Sequence, residues 1–416
     1  MGFHHGLSGL NASSKSLDVI GHNIANSNTT GFKASRAEFN EMVASAMGAS
    51  SGNNAGIGVS VSAVTQQFSQ GVITPTSNGL DMAINGDGFF VVNTPSGTAY
   101  TRSGNFQLDK AGNLVTVNGD NVMGYPVDAT TGRPSSTTLT SLTFPTGAPI
   151  PAKATTSVSA ILNLDARATL AAGDPTATPP IEPTPRSTYG TSLQVYDTLG
   201  VPHNASLYFE KTGVNEWKVF DGLDDPNANP AVVANDLGTL KFNEDGTLDT
   251  ANTSNPITLT INPTTGATDP LPIDIDLSKI SQFGTSWSVA KLTQDGYTSG
   301  ELTGVNVSAD GTLMASYSNG ITRAEAQVAL AKFTNSQGLQ PDGNNNWVAS
   351  NDSGPAVYGS AGSGSFGTIQ GGALEESNVD PTAQLVNMMT AQRAYQANAQ
   401  TIKTQDQVFS TLVNLR

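Results

Sequence analysis

The end of the chain, residues 380–416, carries an apolar repeat that strongly constrains how the protein can fold. Its large apolar residues recur at alternating steps of three and four or at multiples of seven: Leu385, Met388, Tyr395, Ile402, Phe409 and Val413. This is the a/d spacing of a helix that lies along another helix. Asp380 can cap the first turn, and Pro381 suits the first helical position. The sequence therefore predicts a terminal helix roughly 54 Å long, at ~1.5 Å per residue.

The start of the chain carries a matching repeat, and its apolar members are Phe3, Leu7, Leu10, Leu17 and Ile24. Two matching ends predict a chain that leaves along one helix and returns along the other, with everything else inserted between them. Two amphipathic helices that close an ordinary core are the alternative. Against it, the repeats include Gln392 and Asp406, and the other faces carry Gln, Asn, Ser, Thr and Ala rather than charge. Such faces favour packing against further copies.

The composition excludes several classes of protein. Only 13% of the 416 residues are charged, the net charge is −15, and there are 43 Gly and 22 Pro. The acidic balance argues against binding nucleic acid or anionic membrane, and no apolar run reaches the ~18 residues of a membrane span. The absence of cysteine excludes disulfides and thiolate chemistry. The first residues form neither a basic nor an apolar region, so we expect no cleaved signal peptide.

The order of the elements predicts an α+β multidomain chain, in which N- and C-terminal helices form a coiled-coil-like stalk and two mostly antiparallel β domains are inserted between them. Asn85-Gly86 and Asn118-Gly119 are predicted hairpin turns, and Phe39, Met42 and Val43 a short helix. The predicted parts are a terminal helical domain (1–33 and 373–416), a linker with a short helix and a Gly/Ser/Asn loop (34–70), an inner discontinuous β domain (71–147 and 291–360), an outer inserted β domain (148–290) and a Gly-rich linker (361–372).

A polar motif follows the first repeat, and its members are Asn23, Asn26, Thr29, Gly31, Phe32 and Lys33. By itself this cluster indicates that a helix ends and a turn begins. The motif also resembles the N-terminal signature of the bacterial flagellar axial proteins, the family of rod and hook subunits. Residues 80–90, 100–106, 372–380 and 400–406 are similar to the same family. The inserted 148–290 segment and the final Asn-Leu-Arg make the chain look more like the hook subunits than the shorter rod subunits.

The resemblance implies a structural subunit that assembles with itself into the hook, a hollow, curved and flexible tube that transmits motor torque from rod to filament as a universal joint. It implies further partners: the flagellar rod, the hook cap, the hook-filament junction and the type III export apparatus. It also implies an extracellular location in the flagellum. Two alternatives are another axial subunit of the distal rod type, and a secreted β-domain adhesin on a coiled-coil stalk. Open-ended fibres would favour a flagellar subunit, and a discrete ligand-binding oligomer the adhesin.

No catalytic, cofactor or metal site is expected. Residues 362–367 fit G-x-G-x-x-G, but this match follows no buried parallel strand and opens no helix, so it indicates a flexible linker. His4 and His5 face different sides of the first helix, and His22 is too far along it to complete a metal site with either. No Ser/His/Asp set or carboxylate pair stands out, so the sequence predicts a protein that is not an enzyme.

Overall fold

The computed structural model describes residues 2–43, 56–128, 131–145, 149–224, 233–263, 266–268 and 270–414. The chain is mostly β, with helix α1 (Gly2–Ala25) at its start and helix α2 (Pro381–Asn414) at its end, as predicted. It divides into two compact units. The first unit comprises Met1–Gly147, Leu302–Ser316 and Thr322–Arg416, and the second comprises Ala148–Glu301 and Tyr317–Ile321.

The first part of the first unit contains ten strands in its described residues. In chain order they are β1 (Ser35–Val43), β2 (Gly56–Gln66), β3 (Ile73–Pro75), β4 (Met82–Asn85), β5 (Phe89–Thr94), β6 (Gly97–Thr101), β7 (Phe106–Leu108), β8 (Leu114–Thr116), β9 (Asn121–Pro126) and β10 (Thr140–Ser141). Strands β1 and β2 form a separate antiparallel pair against which α1 packs. This pair lies between α1 and the rest of the unit in sequence.

The second unit is built from strands that follow one another along the chain. They are β11 (Ser157–Asp165), β12 (Gly190–Tyr196), β13 (Pro202–Gly213), β14 (Glu216–Phe220), β15 (Asp236–Lys241), β16 (Ile257–Ile261), β17 (Leu271–Asp276), β18 (Ser281–Phe283) and β19 (Ser288–Gln294), with a short 3-10 helix at Arg186–Tyr189. One sheet has the order β12-β13-β14-β15, and the other has the order β16-β17-β11-β18 with β19 paired to β11. Alternate residues of both sheets share one core around Trp217.

The chain then returns to the first unit. Its remaining strands are β20 (Leu302–Val307), β21 (Thr312–Tyr317), β22 (Thr322–Lys332), β23 (Gln340–Gly343), β24 (Asn346–Val348), β25 (Val357–Ser360), β26 (Thr368–Gly371) and β27 (Ala373–Glu375), with a 3-10 helix at Ser336–Gly338. The main sheet has the order β20-β21-β22-β9-β5-β6-β24-β23. Edge-to-face contacts among Phe89, Tyr100, Phe333 and Trp347 fill a core cluster of this unit.

Three local predictions are wrong. The predicted short helix at Phe39, Met42 and Val43 is part of β1, because each residue pairs across the hairpin with β2. The predicted Gly-rich linker 361–372 contains β26, which pairs with β4 and buries Ile369. Since β4 pairs with β26 rather than with β5, Asn85-Gly86 does not form a hairpin turn. The Asn118-Gly119 turn is confirmed between β8 and β9.

The predicted outer boundary at residue 290 falls inside β19, whose pairing with β11 continues to Gln294. Most of the predicted Gly/Ser/Asn loop lies in residues 44–55, outside the described residues. The side chains of Phe3 and Val413 also lie outside the described part of the chain.

Candidate functional site at the two chain ends

The two terminal helices pack together through small residues. A side-chain carbon placed on Gly6 would lie 2.9 Å from Ile402 Cγ1, and one placed on Gly9 would lie 2.8 Å from Asn398 Nδ2. The side chains of Ile402 and Asn398 therefore pack directly against the two glycines of α1, where a larger residue would force them to shift. This contact joins the two ends of the chain but buries few large apolar groups.

The face of α2 that is not exposed differs from the predicted repeat. Between residues 381 and 411 it consists of Gln384, Met388, Ala391, Asn398, Ala399, Ile402 and Gln405. Of the predicted anchors, Met388 and Ile402 lie on this face. Leu385, Tyr395 and Phe409 are exposed instead. The contact stripe follows 384-391-398-405, with Met388, Ala399 and Ile402 beside it, so it is offset from the predicted line through Leu385, Tyr395 and Phe409.

On α1 the predicted anchors are only partly covered. Leu7 is exposed, whereas Leu10, Leu17 and Ile24 are half-buried. The residues that α1 buries are different ones: Gly6, Ala12, Val19, Ile20 and Asn23. Sequence reasoning missed the small-residue contact because it ranked positions by apolar size. The glycines at positions 6 and 9, one turn apart, were the signal that could have found it.

An apolar patch remains on α2 after it has paired with α1. We call Leu385, Val386 and Met389 the α2 patch; each is 52% exposed. Their spacing places them on one side of the helix, away from the face that contacts α1. A groove of about 700 Å³ runs between α1, α2 and the β1–β2 pair, with Ala12 and Phe39 among its apolar lining residues. Clustered exposed apolar residues of this kind mark contacts with other molecules.

The motif residues lie where α1 ends. The Asn23 amide donates to Ser35 O at 2.7 Å and accepts from Ser35 N at 2.8 Å, so it ties the helix end to the start of β1. Asn26 Nδ2 donates to His22 O, and Thr29 Oγ1 donates to Asn26 Oδ1. The bond to His22 O supplies a side-chain donor to a backbone carbonyl in the last turn of the helix.

Gly31 and Phe32 turn the chain into the first unit. Gly31 has a φ of +70°, and a side-chain carbon there would lie 2.6 Å from Ser103 N. Its own N–H donates to Glu375 O at 2.7 Å. The buried Phe32 ring contacts the His22 ring at a centroid distance of 5.5 Å. Gly31 is therefore needed both for its conformation and for its missing side chain.

Lys33 ends the motif in a buried ionic cluster, which we call the clamp: Lys33, Arg102 and Glu375. Lys33 Nζ lies 2.6 Å from Glu375 Oε1, and Arg102 Nη1 lies 3.1 Å from Glu375 Oε2. The side chains of Lys33 and Glu375 are fully buried. Burial lowers the pKa of Lys33 below its ordinary value, an effect that the Glu375 carboxylate opposes. The clamp joins the start of the chain, the inner strands and the segment before α2.

Asn378 holds the same junction together through its side-chain amide. Its Oδ1 accepts from Ala34 N at 2.7 Å, and its Nδ2 donates to Gln67 O at 2.8 Å. Sequence reasoning placed Arg102, Glu375 and Asn378 inside segments of family resemblance but gave them no role. Their partners are too distant in sequence for any spacing rule to connect them.

The remaining sequence features lie in ordinary structural positions. The residues 362–367 form a turn between β25 and β26, closed by a bond from Gly362 N to Gly367 O. His5 contacts Gly56 O, and His203 contacts Asp197. Within the described ranges, no group of three His, Cys, Asp or Glu residues could hold a metal ion. Neither described helix combines the length and the apolar character needed to cross a membrane.

Comparison with known proteins first defines the class. Four family models match successive parts of the chain: flagella basal body rod protein (3–33), flagellar hook protein FlgE/F/G D1 domain (83–160), flagellar basal body protein FlaE D2 domain (163–297) and flagellar basal body rod FlgEFG protein C-terminal (370–415). The class is that of the flagellar rod and hook proteins. The terminal matches include the motif, Glu375 and both helices.

Full-length relatives then narrow the class to one family. The chain is 43% identical over 426 residues to flagellar hook protein FlgE of Escherichia coli (strain K12), and 42% identical over 424 residues to that of Salmonella typhimurium (strain LT2). Both alignments span 100% of each chain. The protein belongs to the flagellar hook protein family, and the resemblance of its motif to the axial proteins is confirmed.

A solved structure supports the fold. The crystal structure of Helicobacter pylori flagellar hook protein FlgE2 matches with a TM-score of 0.52 at 15% identity, over 71% of this chain and 99% of that one. At this identity the likeness concerns the fold alone.

Proposed function

We propose that this chain is the structural subunit that assembles with itself into the bacterial flagellar hook, the curved tube that transmits torque from rod to filament as a universal joint. The observation that carries the proposal is the apolar surface left on α2 in a chain of the hook family. The α2 patch, Tyr395 and Phe409 stay exposed although α2 has already paired with α1. A single copy therefore leaves Leu385, Tyr395 and Phe409 of its predicted α2 anchors exposed, together with Leu7 on α1.

Burial of these anchors against neighbouring copies would supply the energy of assembly. Each large apolar side chain contributes roughly 1.5–3 kcal/mol when it is fully buried. The α2 patch and the face that contacts α1 lie on different sides of one helix, so a neighbour that covers the patch does not displace α1. Contacts between different faces of identical subunits extend without closing unless their rotation forms a ring, and they yield a filament.

We propose a separate role in the tube for each domain. The terminal helices form a coiled-coil-like stalk that packs in the core of the tube and lines its channel. The inner β domain is joined to them through the clamp. The outer β domain, which we take to correspond to the second unit, allows subunits to shift against each other while the helical core holds them together. The clamp would then carry load between the helices and the β strands.

The proposed partners follow from the same role. We infer contacts with the flagellar rod at one end of the tube, with the hook-filament junction at the other, and with the hook cap during growth. The chain would reach this place unfolded through the type III export apparatus and would act without a cofactor or a catalytic step. A distal rod role and a stalked adhesin are not favoured, because the full-length relatives are hook proteins.

Electron microscopy tests the proposal directly. Purified chain is concentrated in steps and imaged by negative stain. We expect open-ended tubes whose length increases with concentration. Discrete oligomers of fixed size at every concentration would contradict the proposal and favour the stalked adhesin.

A further inference from the structure

We propose that Glu375 is a folding latch. The first unit does not complete its folding until the segment 368–379 docks. This docking fixes both helix roots in one step, and by helix roots we mean residues 29–35 after α1 and residues 376–380 before α2. The second unit folds without the latch. The inference concerns the single chain and goes beyond its assembly into a polymer.

The segment 368–379 completes backbone pairing that the earlier part of the chain leaves open. Strand β26 pairs with β4, and β27 pairs with β3. Between these strands, Gly372 N donates to Asp81 O and Thr76 N donates to Gly372 O. Buried backbone groups without partners are costly, so β3 and β4 are incomplete before the segment arrives.

The charges of the clamp give the latch its strength. Without Glu375, Lys33 and Arg102 would be two buried cations with no anion between them. The Lys33 side chain is 0% exposed and the Arg102 side chain 5%. Among the described residues, Arg102 Nε has no hydrogen-bond partner, and Arg102 Nη2 donates to Gly86 O, a neutral carbonyl. An uncompensated buried charge is strongly unfavourable, and arginine cannot shed its proton.

The same few atoms hold the roots of both helices. Glu375 Oε1 accepts from Lys33 Nζ and from Gly71 N, while Glu375 O accepts from Gly31 N. A few residues further on, Asn378 Oδ1 accepts from Ala34 N. The chain after α1 and the chain before α2 therefore dock through shared partners. Groups in one such network lose stability together rather than one by one.

The second unit has no such dependence. Its strands β11 to β19 lie in one continuous stretch of sequence, and its core is drawn from that stretch. A chain that emerges from its N-terminus onward presents all of these strands before residue 368. The first unit must wait for the latch, so its N-terminal part remains extended for longer.

The experiment follows each unit separately in the full-length monomer. The three tryptophans are labelled as 5-fluorotryptophan and observed by ¹⁹F NMR during urea unfolding. Trp347 reports on the first unit, while Trp217 and Trp287 report on the second. The test variant is Glu375→Gln, and the matched control is Glu376→Gln, whose side chain belongs to an exposed residue.

We expect Glu375→Gln to raise the unfolding equilibrium constant at Trp347 by roughly 100-fold or more, as expected for a broken buried ion pair. The Trp217 and Trp287 transitions should stay unchanged, and Glu376→Gln should behave as the parent chain. If Glu375→Gln leaves Trp347 unfolded even without urea while the second unit stays folded, the latch is equally supported. An unshifted Trp347 transition, or equal loss in both units, would overturn it.

Hydrogen exchange on the same variants tests the coupling of the two roots. Amides of residues 29–35 and 376–380 should lose protection together in Glu375→Gln. Loss at one root alone would overturn the coupling. Both measurements use monomer. The latch can therefore be contradicted while tubes still form, and tubes can fail to form while the latch is supported.

Discussion

At the scale of single residues, the sequence indicated that the motif ends a helix and begins a turn, but not which distant residues the motif contacts. The Asn/Thr cluster and Gly31 predicted a helix end and a turn, and local spacing was sufficient for that. The partner of Lys33 could not be predicted, because Glu375 lies 342 positions away. Each buried charge needs a partner of opposite charge. Only 13% of the residues are charged, but the sequence does not show which of them is the partner of Lys33.

Gly31 offers a sharp test at this scale. Gly31→Ala would force a left-handed backbone on alanine and press its side-chain carbon against Ser103 N. We expect the first unit to lose more than the ~1–3 kcal/mol of backbone strain alone. The control is Gly119→Ala, since Gly119 has a φ of +89° but open space around it. Urea unfolding of both variants measures the difference, and equal losses would contradict the steric account.

At the scale of elements, the terminal helices were predicted and their contact face was not. Heptad spacing fixes the period of a helix but not which stripe meets its partner. Here Gly6 and Gly9 of α1 lie against Ile402 and Asn398, while Leu385, Tyr395 and Phe409 remain exposed. Strand β1 was predicted as a helix because Phe39, Met42 and Val43 are also compatible with helical spacing. Its pairing with β2 is a tertiary effect that local pattern cannot give.

The exposed anchors provide the test at this scale. Tyr395→Asp should leave the monomer folded, since Tyr395 is exposed there, but it should block polymerisation. Every copy would lose roughly 1.5–3 kcal/mol of apolar burial and would gain a charge in the interface. Tyr395→Phe keeps the apolar ring and should polymerise as the parent does. Circular dichroism confirms folding and electron microscopy scores the fibres; normal fibres from Tyr395→Asp would show that this anchor is not used.

At the scale of the whole molecule, the sequence predicted an α+β chain with terminal helices and mostly antiparallel β domains between them, and turn signals marked its strands. The limits of the inserted part were less predictable. Strand β19 belongs with β11 through pairing across more than a hundred residues, and no local signal marks its end at Gln294. Composition shifts locate a linker, but only long-range pairing decides to which unit a strand belongs.

All nine strands β11 to β19 lie in the single segment Ala148–Glu301, so we predict that this segment is dispensable for assembly. A chain in which Ala148–Glu301 is replaced by a short linker should keep a cooperative unfolding transition at Trp347. It should also form tubes, with altered stiffness or curvature. A tube of the parent chain measured in the same micrographs is the reference. Loss of the Trp347 transition would mean that the first unit depends on the second for its folding.

Hydrogen exchange on monomer and polymer tests the central claim, that copies pack through their terminal helices. Within one chain, Ala391 is the only buried residue between 381 and 411, so pairing with α1 leaves most of the α2 surface uncovered. We therefore expect weak protection of residues 4–25 and 381–411 in the monomer. In the polymer, the same amides should become strongly protected, while the β strands change little. Strong protection of both helices in the monomer, unchanged on polymerisation, would contradict the account.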